Sequence, residues 1–284
     1  GDIPGHGGLS LLAATLAYTF YLYFDFAGYS EMARASALLL GLDIPENFKT
    51  PFFATNFSGF WNRWHITLGT WFRDYIFYPV TMSGPMKKLT GSARKKLGNH
   101  FGPLLAGSVA LFCVWFSNGL WHGAAWHYIF FGLYHFVLIL MGNCFAPYLK
   151  KANERLGITP ENKPFRVFQM LRTSLLVVFG ELIFRAENMA QAGGMLKAIF
   201  TDFGPLRGCY STLKTALEAS GCDVLDLLIT AVAVCVVLVV SILQETGVEI
   251  RGSLNRKPTA LRWAVWYALI LFILIFGAYG VGYI

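Results

Sequence analysis

Residues 224–243, VLDLLITAVAVCVVLVVSIL, hold a single charge, Asp226, near one end. As a helix rising 1.5 Å per residue the run measures about 30 Å, the thickness of a bilayer's hydrocarbon core. Runs 103–120, 124–147, 167–184 and 263–279 have the same character, and 9–24 is a shorter candidate. Composition agrees: 55% of the 284 residues are hydrophobic and 14% charged, against about 25% charged in a soluble domain. The chain therefore reads as an all-α polytopic membrane protein, one membrane domain over 1–284. Non-helical pieces are tolerated only where protein or water surrounds them. The sequence opens on Gly1 without a leader pattern, and is read as the C-terminal portion of a longer protein with spans missing upstream.

The net charge of +7 sits in connecting segments. Residues 81–100 carry Lys87, Lys88, Arg94, Lys95 and Lys96 without an acid. Residues 148–166 and 244–262 are also basic. If 101–147 form two spans, all three basic connectors fall on one side, which the positive-inside rule makes cytoplasmic. The longer segment 185–223 then faces out. The basic excess reports topology, not nucleic acid. Cys113, Cys144 and Cys235 lie in apolar runs as small hydrophobes. Cys209 and Cys222, on the outer segment, could pair in an oxidising compartment. There is no Cys-x-x-Cys to hold zinc or run thioredoxin chemistry.

Several polar residues do not belong in lipid. In GFWNRWHITLGTWFRDYIFYP, 59–79, a helix turning about 100° per residue places Asn62, His65, Gly69 and Arg73 on one narrow stripe. Trp64, Leu68, Trp71, Phe72 and Tyr75 form an aromatic face, and Arg63 could pair with Asp74. Such a helix lies at the membrane interface, anchored by Trp and Arg, or lines an internal cavity. An interfacial helix has no need of His65.

In SNGLWHGAAWHYIFFG, 117–132, Asn118, His122 and Trp126 share one face if the backbone is helical there. His127 is about 140° away on the same wheel, so it and His122 cannot both enter one small site. A titratable group inside a membrane is a functional candidate, and an imidazole suits general-base work; both points single out His122. His127, His135, His6 and His100 are read as satisfied core or headgroup-level residues. Glu31 and Arg34, three apart, can neutralise one another. Asp25 lacks such a partner and is read as marking a break in 9–41 or orienting a ring.

The stretches YFDFAGYSEMA, LDIPENFKTPF, FWNRWHITLGTWFRDYIFYP and GLWHGAAWHYIFFGLYH follow one another in the order and spacing of the membrane-bound O-acyltransferase family. The resemblance is nearest to its bacterial branch acting on alginate and teichoic acids. It is strong over 18–146, weaker over 171–192, where GELIFRAENMAQA stands, and extends faintly to 276–283. After the Tyr-Pro of 78–79 this chain has MSGPMKKLTGSARKK where alginate-type members have Gly-Gly-Asn-Arg. The family is also longer.

The resemblance implies a helical core around a central funnel and transfer of an acyl group from a cytoplasmic thioester to a hydroxyl. The donor would be acetyl-CoA or an acyl carrier protein, acting as co-substrate with no bound cofactor and no metal. By motif position His122 would be the essential histidine and His65 the second polar position. His65, Asn118 or Asn62 would orient reactants or meet the oxyanion, and Trp61, Trp64, Trp121 and Trp126 would wall the tunnel. Arg73 and Asp25 complete the candidate set. The expected setting is a bacterial plasma membrane, with an extracytoplasmic polysaccharide or relay acyltransferase as partner. The Phe-Arg-Ala stretch leans toward acetyl, with D-alanyl as the alternative. A transporter would show inverted repeats or paired broken helices, and a di-metal hydroxylase would show histidine boxes; the sequence offers neither.

Overall fold

The computed structural model describes residues 7–159, 161–202, 210–211, 214–215 and 224–277. Cys209, Cys222 and His6 lie outside the described residues. The chain divides into two compact units, Gly1–Thr212 and Leu213–Ile284. Among the described residues every long element is a helix, and six helices are long and apolar enough to cross a membrane. This is an all-α, multi-pass membrane protein.

The second unit contains α9 (Val224–Glu245), a short α10 (Ile250–Asn255) and α11 (Thr259–Phe276). The first unit carries the site. Its α1 (Gly8–Leu39) is one unbroken helix of 32 residues, longer than the 9–24 run and without the expected break at Asp25. Arg34 reaches Glu46 at 3.0 Å and Glu31 at 3.6 Å, so it is shared between two carboxylates without disturbing the backbone. Asp25 itself is exposed on the uninterrupted helix.

An irregular stretch follows, containing a single 3-10 turn (Pro51–Phe53), as Pro45 and Pro51 require. The segment expected as one helix over 59–78 is instead broken. It comprises α2 (Phe57–Trp61), α3 (Ile66–Phe72), a π turn (Arg73–Phe77) and α4 (Tyr78–Met82). The break lies at 62–65, where His65 adopts φ 45°, ψ 53°. A single helical wheel over 59–79 therefore fails across 62–65 and again at the π turn.

The basic stretch 81–100, expected as a loop, is helical and begins α5 (Gly84–His122). Met, Lys, Leu, Ala and Arg are good helix formers, and only Gly98, at φ 78°, interrupts them. That turn folds the two parts of α5 together. A Cβ on Gly102 would stand 2.4 Å from Arg94 Cα.

α5 then runs antiparallel to α6 (Trp126–Arg155) through the three-residue turn 123–125. α7 (Lys163–Arg185) and α8 (Met189–Thr201) complete the unit. The α5–α6 contact depends on small residues, as in membrane helix pairs generally. A Cβ on Gly132 would meet Trp115 O at 2.2 Å, and one on Gly119 would meet Tyr128 O at 2.7 Å. Gly142, on the same helix, has nothing within 4 Å of that position.

This contrast gives a prediction. Gly132→Ala should destabilise the folded protein by about 1–3 kcal/mol through overpacking. Gly142→Ala should be neutral or stabilising by about 0.5–1 kcal/mol through helix propensity. Thermal unfolding in detergent reads both, and equal midpoints would contradict the close contact.

Candidate active site

A cavity of about 690 Å³ lies within the first unit, and its walls include His65, His122 and His135. Each histidine arrives from a different piece of backbone, and each is held in its own way.

His65 sits at the N-cap of α3 in a left-handed conformation rare for a residue with a Cβ, which costs about 1–3 kcal/mol and needs outside support. Asn47 supplies that support. Its Oδ1 stands 3.0 Å from His65 Nδ1 and accepts from Thr67 Oγ1 at 2.9 Å and from Thr67 N at 3.3 Å. Asn47 Nδ2 donates to Ser30 Oγ at 3.2 Å, tying the group to α1. Because the Thr67 backbone N–H can only donate, the atom facing His65 Nδ1 is the amide oxygen. Nδ1 must then carry the proton, and Nε2 keeps its lone pair. Phe26 meets the same ring edge-on, with centroids 4.6 Å apart. Burial first, and nearby His122 second, lower the His65 pKa from 6.5 to about 4, so the ring is neutral at ordinary pH.

His122 is the last residue of α5. The helix stops there because Gly123 takes φ 152°, and a Cβ at that position would strike the Tyr128 ring at 2.7 Å. The imidazole is caged by aromatic edges: Trp121 at 4.7 Å, Phe184 of α7 at 4.9 Å and Phe131 of α6 at 5.9 Å. Trp121 also faces His65 at 6.1 Å, and so bridges the two rings. Asn118, one turn earlier on α5, is buried and lines the cavity.

His135 departs from expectation. Read from the sequence as a satisfied core or headgroup-level residue, it is fully buried, yet neither ring nitrogen has a hydrogen-bond partner among the described residues. It lies among Phe131, Trp61 and Trp115 at 4.6, 4.9 and 5.3 Å, and its Nε2 is pressed against Gly180 of α7. Three further orphan atoms belong to side chains lining the same cavity: Trp61 Nε1, Asn118 Oδ1 and Glu181 Oε2. Each such group costs about 1–3 kcal/mol when left unpaired. Together they make five unpaired buried atoms on four side chains that line one cavity.

The other sequence candidates divide. Trp61, Trp64, Asn62 and Arg73 line the cavity with the histidines. Arg73 is exposed and bonded to Asp74 at 2.8 Å, which holds the Asp74 carboxyl below its usual range and Arg73 above its own. Arg63, the partner expected for Asp74, instead donates to Thr50 O and Oγ1, each at 3.2 Å. Trp126 is 71% exposed and is not part of the cavity, because the helix ends at His122 and the shared face with Asn118 ends with it. Asp25 also lies away from it. His127 is buried beside Tyr128, and His100 bonds Asn143 O at 3.1 Å, both as expected. Asn47, His135 and Glu181 were missed. Asn47 lies between two prolines, where no periodicity assigns a face, while His135 and Glu181 sit on helices whose buried sides only packing reveals.

The chain is similar to known proteins over part of its length. Residues 4–94 match the model of the membrane-bound O-acyltransferase family. A probable alginate O-acetylase of Pseudomonas syringae is 39% identical over 66% of this chain and 30% of its own length. The teichoic acid D-alanyltransferase of Bacillus subtilis is 36% identical over 60% of this chain and 40% of its own. The peptidoglycan O-acetyltransferase of Helicobacter pylori is 30% identical over 65% of this chain and 30% of its own. The chain is thus similar, over 60–66% of its residues, to stretches of these proteins, and spans less than half the length of each of them.

The His65 tautomer can be observed directly. Nitrogen-15 spectra of histidine-labelled protein should show His65 neutral and protonated on Nδ1 at pH 6. Because the folded ring takes its proton near pH 4 and the unfolded ring near 6.5, it contributes a loss of stability as pH falls through that window. Asn47→Ala should populate the Nε2-protonated form, and an unchanged spectrum would remove Asn47 from the site.

Proposed function

We propose that the protein is an O-acyltransferase, moving a small acyl group from a thioester on the basic face of the membrane to a hydroxyl presented from the other. The observation that carries the reading is the meeting of His65 and His122 in one cavity of a chain similar to acetyl- and D-alanyl-transferring proteins.

In this reading His122 takes the proton of the acceptor hydroxyl as its oxygen attacks the thioester carbonyl. The carbonyl π pair moves onto oxygen; on collapse the C–S bond breaks and the proton passes from His122 to the departing thiolate. General-base help of this kind contributes about 10²–10⁴-fold. With its proton on Nδ1, His65 offers only a lone pair at Nε2. That suits accepting a hydrogen bond from the incoming hydroxyl and does not suit donating to an oxyanion. The Asn118 amide, one turn from His122, is the better candidate donor; such donors are commonly worth about 3 kcal/mol. Aromatic walls exclude water that would hydrolyse the thioester.

The donor is acetyl-CoA or an acyl carrier protein, and the acceptor a cell-surface polysaccharide hydroxyl or a relay acyltransferase. The cell is bacterial and the membrane its plasma membrane. Acetyl is the first reading, and D-alanyl transfer to teichoic acid from a carrier protein is the alternative. The basic connectors support a cytoplasmic donor side.

His122→Ala in the full-length protein should lower acyl transfer in membrane vesicles at least about hundredfold while leaving membrane abundance unchanged. Transfer at the parent rate in that variant would end the assignment.

A further inference from the structure

We propose that a second basin, between the facing ends of α6 and α7, binds the phosphate headgroup of an anionic phospholipid. This goes beyond the acyl-transfer reading and does not rest on it.

The basin has a volume of about 580 Å³, and none of its lining residues is shared with the histidine cavity. Three cationic side chains line it: Arg63 from the break between α2 and α3, Lys150 from the end of α6 and Arg166 from the start of α7. Glu154 is the one carboxylate among the lining residues, so positive charge is in excess. Asn153 and Gln169 add neutral hydrogen-bonding groups. Basic pockets between membrane helices at the cytoplasmic boundary bind anionic headgroups, and Lys150 and Arg166 belong to a connector that the positive-inside rule places on that side.

A free anion would need only the charges. Exposed apolar side chains also stand at or next in sequence to its lining residues: Leu149, which lines it, and Phe145 and Phe168, at 53%, 51% and 57% exposure. Charge at the level of a helix end, with exposed hydrocarbon on the same two helices, matches a headgroup with acyl chains attached.

The site abuts the segment that sets His65. Arg63 accepts a hydrogen bond from Lys49 N at 2.9 Å through its carbonyl, and its guanidinium donates to Thr50. Thr50 and His65 are the two described non-glycine residues with positive φ. A headgroup seated against Arg63 therefore touches the connection between the two strained positions.

The test is retention of phosphatidylglycerol by the full-length protein. Protein from nanodiscs of mixed phosphatidylglycerol and phosphatidylcholine is released into mild detergent and analysed by native mass spectrometry. The parent should keep phosphatidylglycerol in preference to phosphatidylcholine. Lys150→Gln with Arg166→Gln should keep at least about fivefold less, and Lys150→Glu alone should also lose retention. Both side chains are exposed, and an unchanged thermal midpoint checks that the variants fold. Lys87→Gln with Lys88→Gln, removing as many charges elsewhere, should retain lipid like the parent. Equal retention in the basin variant, equal loss in the control, or displacement of the lipid by inorganic phosphate with no preference between the two lipids would overturn the proposal.

Discussion

Non-helical backbone has no helical ladder to satisfy its polar groups, and in residues 43–65 side chains supply several of the missing partners. Arg172 of α7 donates to Thr55 O, Ser174 of the same helix to Phe52 O, and Arg63 to Thr50 O. Asn47 binds Ser30 of α1 and Thr67 of α3. The irregular segment is thus pinned to α1 and α7 at several points. That fixation allows His65 to hold a conformation its own backbone disfavours.

The α5–α6 hairpin solves a different problem, placing a polar ring at the end of a span. Gly119 and Gly132 allow the helices to close, and Gly123 turns the chain immediately after His122. Phe184 and Phe131 then close around the imidazole. The two histidines share a cavity because two separate constraints, a pinned irregular segment and a glycine-lined hairpin, bring their ends together. Trp121 spans the interval between the rings.

The polar wall around His135 has a different character. Its orphan atoms belong to residues on α2, α5, α6 and α7, so no single helix carries the pattern. His135 and Phe131 are four apart on α6, and Phe131 packs against both His135 and His122. One aromatic ring therefore stands between the proposed reacting centre and a deeper set of hydrogen-bonding groups.

The residues alone fixed much of this. Apolar runs of bilayer length determined an all-helical membrane protein, because lipid supplies no hydrogen bonds to a polar backbone. The cost of a titratable ring inside a span nominated His122, and a narrow polar stripe nominated His65. What the residues could not fix was direction. Trp126 falls on the same face as His122 only if the helix continues, and Gly123 ends it. Asn62, His65, Gly69 and Arg73 do line one cavity, but a break at 62–65 rather than one straight helix brings Asn62 there with the others. His135, Glu181 and Asn47 acquire meaning from neighbours far away in the sequence. Local pattern sets which segments enter the membrane, since transfer free energy is summed residue by residue. Tertiary packing decided which polar atoms meet, since that depends on how closely helices approach and where the chain turns.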